Sequence, residues 1–159
     1  MKNKPGFMIF VLITSALILG GCVPYESEPV QEGSIYEKYY DARAQYVGSA
    51  SDVGNLLTIL EAGEYGKYTI ALTTDEEPYG ITVNYSELTI PESEFISMER
   101  IPYAYHLLAL VENVSFVDIN YNDYTYHLDV EQANEEMGRD IKEYGSSAEM
   151  IEELDEKLR

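Results

Sequence analysis

The chain has 159 residues, 45% of them hydrophobic, with 15 tyrosines, no tryptophan and a formal charge of −19. That length supports one domain with a proper core but not two. So acidic a surface repels nucleic acid and anionic lipid head groups, which excludes both as direct ligands.

The first 22 residues read as an export signal. Lys2 and Lys4 form a positive start, and Phe7 to Leu19 is an almost unbroken apolar run. That run is well short of the roughly 20 residues a mature spanning helix needs. It ends in Leu19-Gly20-Gly21-Cys22, which resembles the lipobox of bacterial lipoproteins, where the cysteine thiol takes a diacylglycerol. The expectation is a signal peptide over 1–21 and a mature protein held to the outer side of the cell membrane by lipid on Cys22. Cys22 is the only cysteine, so no intramolecular disulfide is available and the fold must be held by packing. Both signal lysines leave with the peptide, so 8 basic residues remain against 29 acidic ones, a formal −21.

Residues 22–45 carry Pro24, Pro29, Gly33 and many acidic groups without a sustained apolar period, the pattern of a tether. Its Tyr36, Tyr39 and Tyr40 are placed to dock on the domain or to stay free.

The domain is expected over 46–130. Ser51 or Asp52 can cap a helix whose Val53, Leu56, Leu57 and Leu60 recur at helical spacing, with Gly63 as its stop. Two alternating strands follow, with Tyr68, Ile70 and Leu72 set against Thr69, Ala71 and Thr73, then Ile81, Val83 and Tyr85 against Thr82, Asn84 and Ser86. The connection Asp75-Glu76-Glu77-Pro78-Tyr79-Gly80 supplies turn chemistry for a hairpin.

Pro102 then sits where a first helical turn tolerates proline, and Tyr103, Leu107, Leu108, Leu110 and Val111 carry a second core helix to Asn113. Val114 to Ile119 is β-branched and aromatic, Asn120 to Asp123 reads as a turn, and Tyr124, Tyr126, Leu128 and Val130 alternate with Thr125, His127 and Asp129. Residues 131–159 are expected to form one or two further helices. Val130, Ala133, Met137, Ile141 and Tyr144 make one stripe, Gly145 breaks it, and Ser146 with Glu149 forms a capping box before Met150.

Helix, strand, strand therefore occurs twice. Two such units predict an α+β fold: a four-stranded antiparallel sheet with both helices on one face and the C-terminal helices added. The other face would be lined by Thr69, Thr73, Thr82, Asn84, Ser86, Thr125 and His127, either the solvated side that antiparallel sheets commonly leave wet or a candidate partner-binding surface, unless a C-terminal helix covers it. Tyr79 and Tyr121 join the candidates as amphipathic contact residues. Asp118, Asn120, Asn122 and Asp129 match much of a calcium-loop signature, with Asp123 where its glycine belongs and strand-like flanks where helices belong. No cofactor is expected. His106 lies in a leucine-rich helix and His127 on a strand, neither in metal-ligand spacing with a second ligand.

The segments Tyr46-Val47-Gly48-Ser49-Ala50-Ser51-Asp52-Val53-Gly54-Asn55-Leu56-Leu57 and Glu77-Pro78-Tyr79-Gly80 resemble an uncharacterised Gram-positive family, domain of unknown function 4825. The similarity runs from about Tyr46 to Val130. That family occurs in small lipoproteins and fused to BlaR-type membrane metallopeptidase regulators. The resemblance implies an extracytoplasmic sensing or interaction module and carries over no catalytic residue. No His-Glu-x-x-His motif is present, so the peptidase chemistry of the fused relatives does not transfer. The functional expectation is a non-catalytic module that binds a protein, peptide or wall component, with a membrane or wall protein as candidate partner. The alternative is a small hydrolytic or metal-dependent enzyme.

Overall fold

In the computed structural model, which describes residues 33–159, the elements run α1 (Ile35–Asp41), α2 (Ala50–Ile59), a 3-10 turn (Ala62–Tyr65), β1 (Gly66–Thr73) and β2 (Gly80–Leu88). They continue with α3 (Glu92–Ile96), α4 (Pro102–Leu110), β3 (Phe116–Tyr121), β4 (Tyr124–Asp129), α5 (Val130–Met137), α6 (Ile141–Tyr144) and α7 (Ala148–Leu158). The class is α+β, as the alternation predicts. The signal peptide and Cys22 lie outside the described residues. Among the described residues no helix is long and apolar enough to cross a membrane.

The sheet order is β1-β2-β3-β4. Both hairpins are antiparallel as expected, but β2 and β3 pair in parallel, from Gly80↔Phe116 to Tyr85↔Tyr121. The expectation of a wholly antiparallel sheet is thus corrected to a mixed one. The cause is the connection: parallel neighbours need a crossover, and α3 and α4 supply it by returning the chain to the starting end of β2.

The crossover helix α4 is the centre of the core. Every residue from Tyr103 to Leu110 is buried, so the helix is enclosed on all sides, with the sheet below it and α2, α6 and α7 around it. Pro102 occupies its first turn. Its C-terminal end, where carbonyls lack helical donors, is closed by Lys142 of α6, whose Nζ donates to Leu108 O (2.6 Å), Val111 O (2.7 Å) and Val114 O (2.9 Å). Burial pulls the Lys142 ammonium down to about 8, against the opposing pull of Asp140 and Glu112. Gly145 lets this join close, since a Cβ there would stand 2.1 Å from Ala109 O.

Many of the tyrosines serve packing. Phe95 of α3 is fully buried and meets Tyr65, Tyr85, Tyr121 and Tyr124 edge-on, with ring centroids 5.5–6.3 Å apart. Tyr85 donates its hydroxyl hydrogen to Ala62 O at 2.7 Å and lies 3.1 Å from the Tyr103 hydroxyl. Burial pushes both phenols well above their ordinary range, so they stay protonated hydrogen-bonding groups.

Three local expectations change. Ser34 and Glu37 form a capping box that starts α1 inside the expected tether, and Ala44 bridges Val111. The packed domain therefore begins before Tyr46. Tyr36, Tyr39 and Tyr40, at helical spacing, supply the packed side of α1. The C-terminal stripe breaks first at Gly138, whose φ of 74° is the left-handed conformation that ends helices, so α5 and α6 are separate. The cap of α7 is Ser147, whose Oγ accepts from Met150 N, and not Ser146, whose hydroxyl donates to Glu143 O.

Candidate functional site

Strand alternation sends Ile81, Val83, Tyr85, Val117, Ile119, Tyr126 and Leu128 into the core, and their neighbours to the opposite face. The pairing registers align that opposite face into rows across the sheet. Thr69, Asn84, Asn120 and Thr125 make one row, and Ala71, Thr82, Asp118 and His127 the next. A third row, Thr73, Gly80, Phe116 and Asp129, closes the end beside the β1–β2 connection. Thr69, Ala71, Thr73, Thr125 and His127 are exposed, and Thr82, Asn84, Asp118 and Asn120 half-exposed. Of the C-terminal helices, α6 and α7 lie against α4, α7 also along α1, and α5 packs on α6 and β4, while the side chains of this face stay exposed or half-exposed.

Within the rows the side chains hold one another. Thr125 Oγ1 donates to Asn120 Oδ1 at 2.8 Å, and Asn120 Nδ2 donates to Asn84 Oδ1 at 2.9 Å. The chain of bonds leaves the Asn84 amide as donor at its end. One row over, His127 Nδ1 stands 2.6 Å from Asp118 Oδ1, while Nε2 is 3.9 Å from Asp129 Oδ2. The Phe116 ring lies over Gly80, whose absent Cβ would sit 2.1 Å from Phe116 Cζ, and it leans on the His127 ring at 5.8 Å. This is a flat, pre-ordered array of amides, hydroxyls and a carboxylate with one aromatic step.

Of the six candidate contact residues, Thr82, Asn84, Thr125 and His127 come together here. Tyr79 and Tyr121 do not. They share the parity of Ile81 and Ile119, so both turn toward the core side and are half-buried. Tyr79 holds β3 in place through its carbonyl, which accepts from Ser115 N at 2.8 Å. Tyr121 packs on Phe95 and borders an open cleft of about 760 Å³ with Glu92, Ile96 and Tyr124. Phe116, Asp118 and Asn120 belong to the polar face although sequence reasoning did not place them on it. The outward parity set by Val117 and Ile119 was the available signal.

The calcium-loop letters Asp118, Asn120, Asn122 and Asp129 fall on the β3–β4 hairpin, whose turn accounts for them. Asp118 and Asn120 lie in β3, and the turn is only Asn122-Asp123, with Asn122 at a φ of 50°. From Asp118 the strand runs straight to Tyr121, about 10 Å, before the turn begins, so the chain does not curl around an ion. Asp129 instead caps α5 by accepting from Gln132 N. Among the described residues no group of three or more His, Cys, Asp or Glu side chains is placed to hold a metal ion.

The His127–Asp118 contact has the form of an oriented base, and of the hydroxyls on this face Thr125, two residues along β4, is engaged with Asn120. Thr82 lies on the far side of Asp118, two strand spacings or about 10 Å from His127.

Comparison with known proteins gives one match. The family model described as "Domain of unknown function (DUF4825)" covers residues 39–131. No curated protein and no solved structure matches the chain.

Proposed function

We propose, starting from a chain that belongs to the DUF4825 family, that this protein is a non-catalytic module binding a protein, peptide or wall component through its open polar sheet face. The module is held on the outer side of the cell membrane by diacylglycerol on Cys22. The observation that carries the binding reading is the hydrogen-bonded row Thr125–Asn120–Asn84, which stays uncovered although seven helices are at hand among the described residues. Side chains fixed by one another lose little conformational freedom when a ligand docks, which favours recognition over random contact.

The anchor is supported by the lipobox-like Leu19-Gly20-Gly21-Cys22 alone. It is tested by metabolic labelling with a fatty acid: wild-type protein takes up label and partitions into detergent, and Cys22→Ala does neither. The binding reading is tested by co-sedimentation with purified cell-wall material and by crosslinking in membranes. The double variant Asn84→Ala, Asn120→Ala is expected to lose its partner, while Tyr79→Ala, Tyr121→Ala keeps it. The reverse pattern contradicts the reading.

The second reading, a small hydrolase, is favoured only by the 2.6 Å approach of His127 to Asp118. Turnover of wall material that disappears in His127→Gln would establish it.

A further inference from the structure

His106 has no role in the polar face, yet it is the buried polar side chain of the core, 3% exposed on α4. Its Nδ1 donates to Pro102 O at 2.9 Å, one helical turn back, which fixes the other ring nitrogen as an acceptor. That nitrogen, Nε2, is buried and has no hydrogen-bond partner among the described residues. A native core rarely keeps such a group without a reason.

One side chain of α1 packs against the ring. Tyr39 meets His106 edge-on, with ring centroids 5.6 Å apart and planes at 71°. The helix that delivers Tyr39 is short, and none of its seven residues is fully buried. It lies along α7, where Tyr36 donates its hydroxyl hydrogen to Asp155 Oδ2 at 3.2 Å and Arg159 Nη2 donates to the same oxygen at 2.6 Å. The helix is the first element described after the segment that leads from Cys22.

We propose that α1 is an acid-released clasp: protonation of His106 at Nε2 drives α1 off α7, α2 and the His106 ring of α4. A proton on Nε2 would create a charge and a donor with no acceptor prepared for either. The groups around it do not remove the penalty. Tyr39 from α1 stands against the ring but gives Nε2 no hydrogen-bond acceptor. Asp155 from α7 attracts the charge but is already engaged by Arg159 and Tyr36. Glu61, at the end of α2, acts on Tyr39, and Lys142 of α6 is bound at the other end of α4.

Burial accordingly holds the docked imidazole below its ordinary 6.5, the hydrogen bond to Pro102 O and the charge of Asp155 only partly offsetting it. The sign follows. The docked state binds fewer protons than the released state, so docking is at full strength above pH 6.5. It weakens by about tenfold per pH unit below that, until the lowered value is passed. Release also adds length between anchor and domain: the seven residues of α1, Ile35–Asp41, span up to about 25 Å when extended. That consequence rests on the Cys22 anchor, whereas the clasp itself does not.

The test is amide exchange across residues 33–41, which carry α1, in the full chain, from pH 7.5 to pH 4.5, corrected for intrinsic rates, alongside His106→Phe. The expected result is protection of α1 that falls below pH 6.5 in wild type while α4 stays protected, and a flat profile in His106→Phe. Equal acid sensitivity in both proteins, or none in wild type, would overturn the proposal. The histidine's own titration by NMR in the wild-type protein needs no variant: a midpoint below 6.5 that coincides with α1 release supports the clasp. A midpoint at or above 6.5 contradicts it.

Discussion

The two faces of one sheet use the same strands in opposite ways. On the inner face Ile81, Val83, Val117, Ile119 and Leu128 are fully buried, and their contribution is removal of apolar area from water. On the outer face Asn84, Asn120, Thr125, Asp118 and His127 bond to one another across the strands and remain open to solvent. The inner face specifies the fold and tolerates no polar change. The outer face is held by hydrogen bonds between exposed side chains, and it is the surface proposed for contact.

The comparison breaks most sharply at Ile119. Truncation to alanine leaves a cavity beneath the central parallel pair and is expected to cost about 2–5 kcal/mol in urea unfolding. A cost under 1 kcal/mol would mean that the inner face is not the stabilising one. Lys142→Met comes next, because it strips the donors from three carbonyls at the end of α4. A loss of about 2–4 kcal/mol is expected, with chemical shifts changing around Leu108 and Val114 rather than on the sheet. Gly145→Ala, which drives a Cβ against a backbone oxygen of α4, should cost about 1–3 kcal/mol. On the outer face Asn120→Ala is expected to cost only about 0.5–1.5 kcal/mol, within reach of thermal unfolding but far below the effect at Ile119. Its larger consequence should be on binding.

Much of this architecture was legible because each hairpin carries strict alternation, and alternation alone assigns side chains to faces. Thr82, Asn84, Thr125 and His127 were placed correctly on that basis. Pairing between the hairpins was not legible, since alternation in β2 and β3 reads the same whether they run parallel or antiparallel. The answer lies in the path of α3 and α4, a tertiary property. Asp118 and Asn120 were visible as polar residues but resembled a metal loop, because Asn and Asp serve strands' outer faces, turns and ion sites alike. Tyr79 and Tyr121 were chosen for their chemistry against the parity that turned them inward. The start of α1 was written in Ser34-x-x-Glu37, but the surrounding acidic and proline-containing segment read as tether. Tertiary docking of its tyrosines on α7 and His106 is what makes seven residues helical, and no local pattern encodes that.

The central claim is that the open polar face is the contact surface, and the most direct measurement is a residue-resolved NMR titration of the soluble domain with soluble wall glycopeptide fragments and, separately, with the membrane partner captured by crosslinking. Shift changes concentrated at Thr82, Asn84, Asp118, Asn120, Thr125 and His127 are predicted. Changes confined to the cleft beside Tyr121 and Tyr124, with the polar face silent, would contradict it.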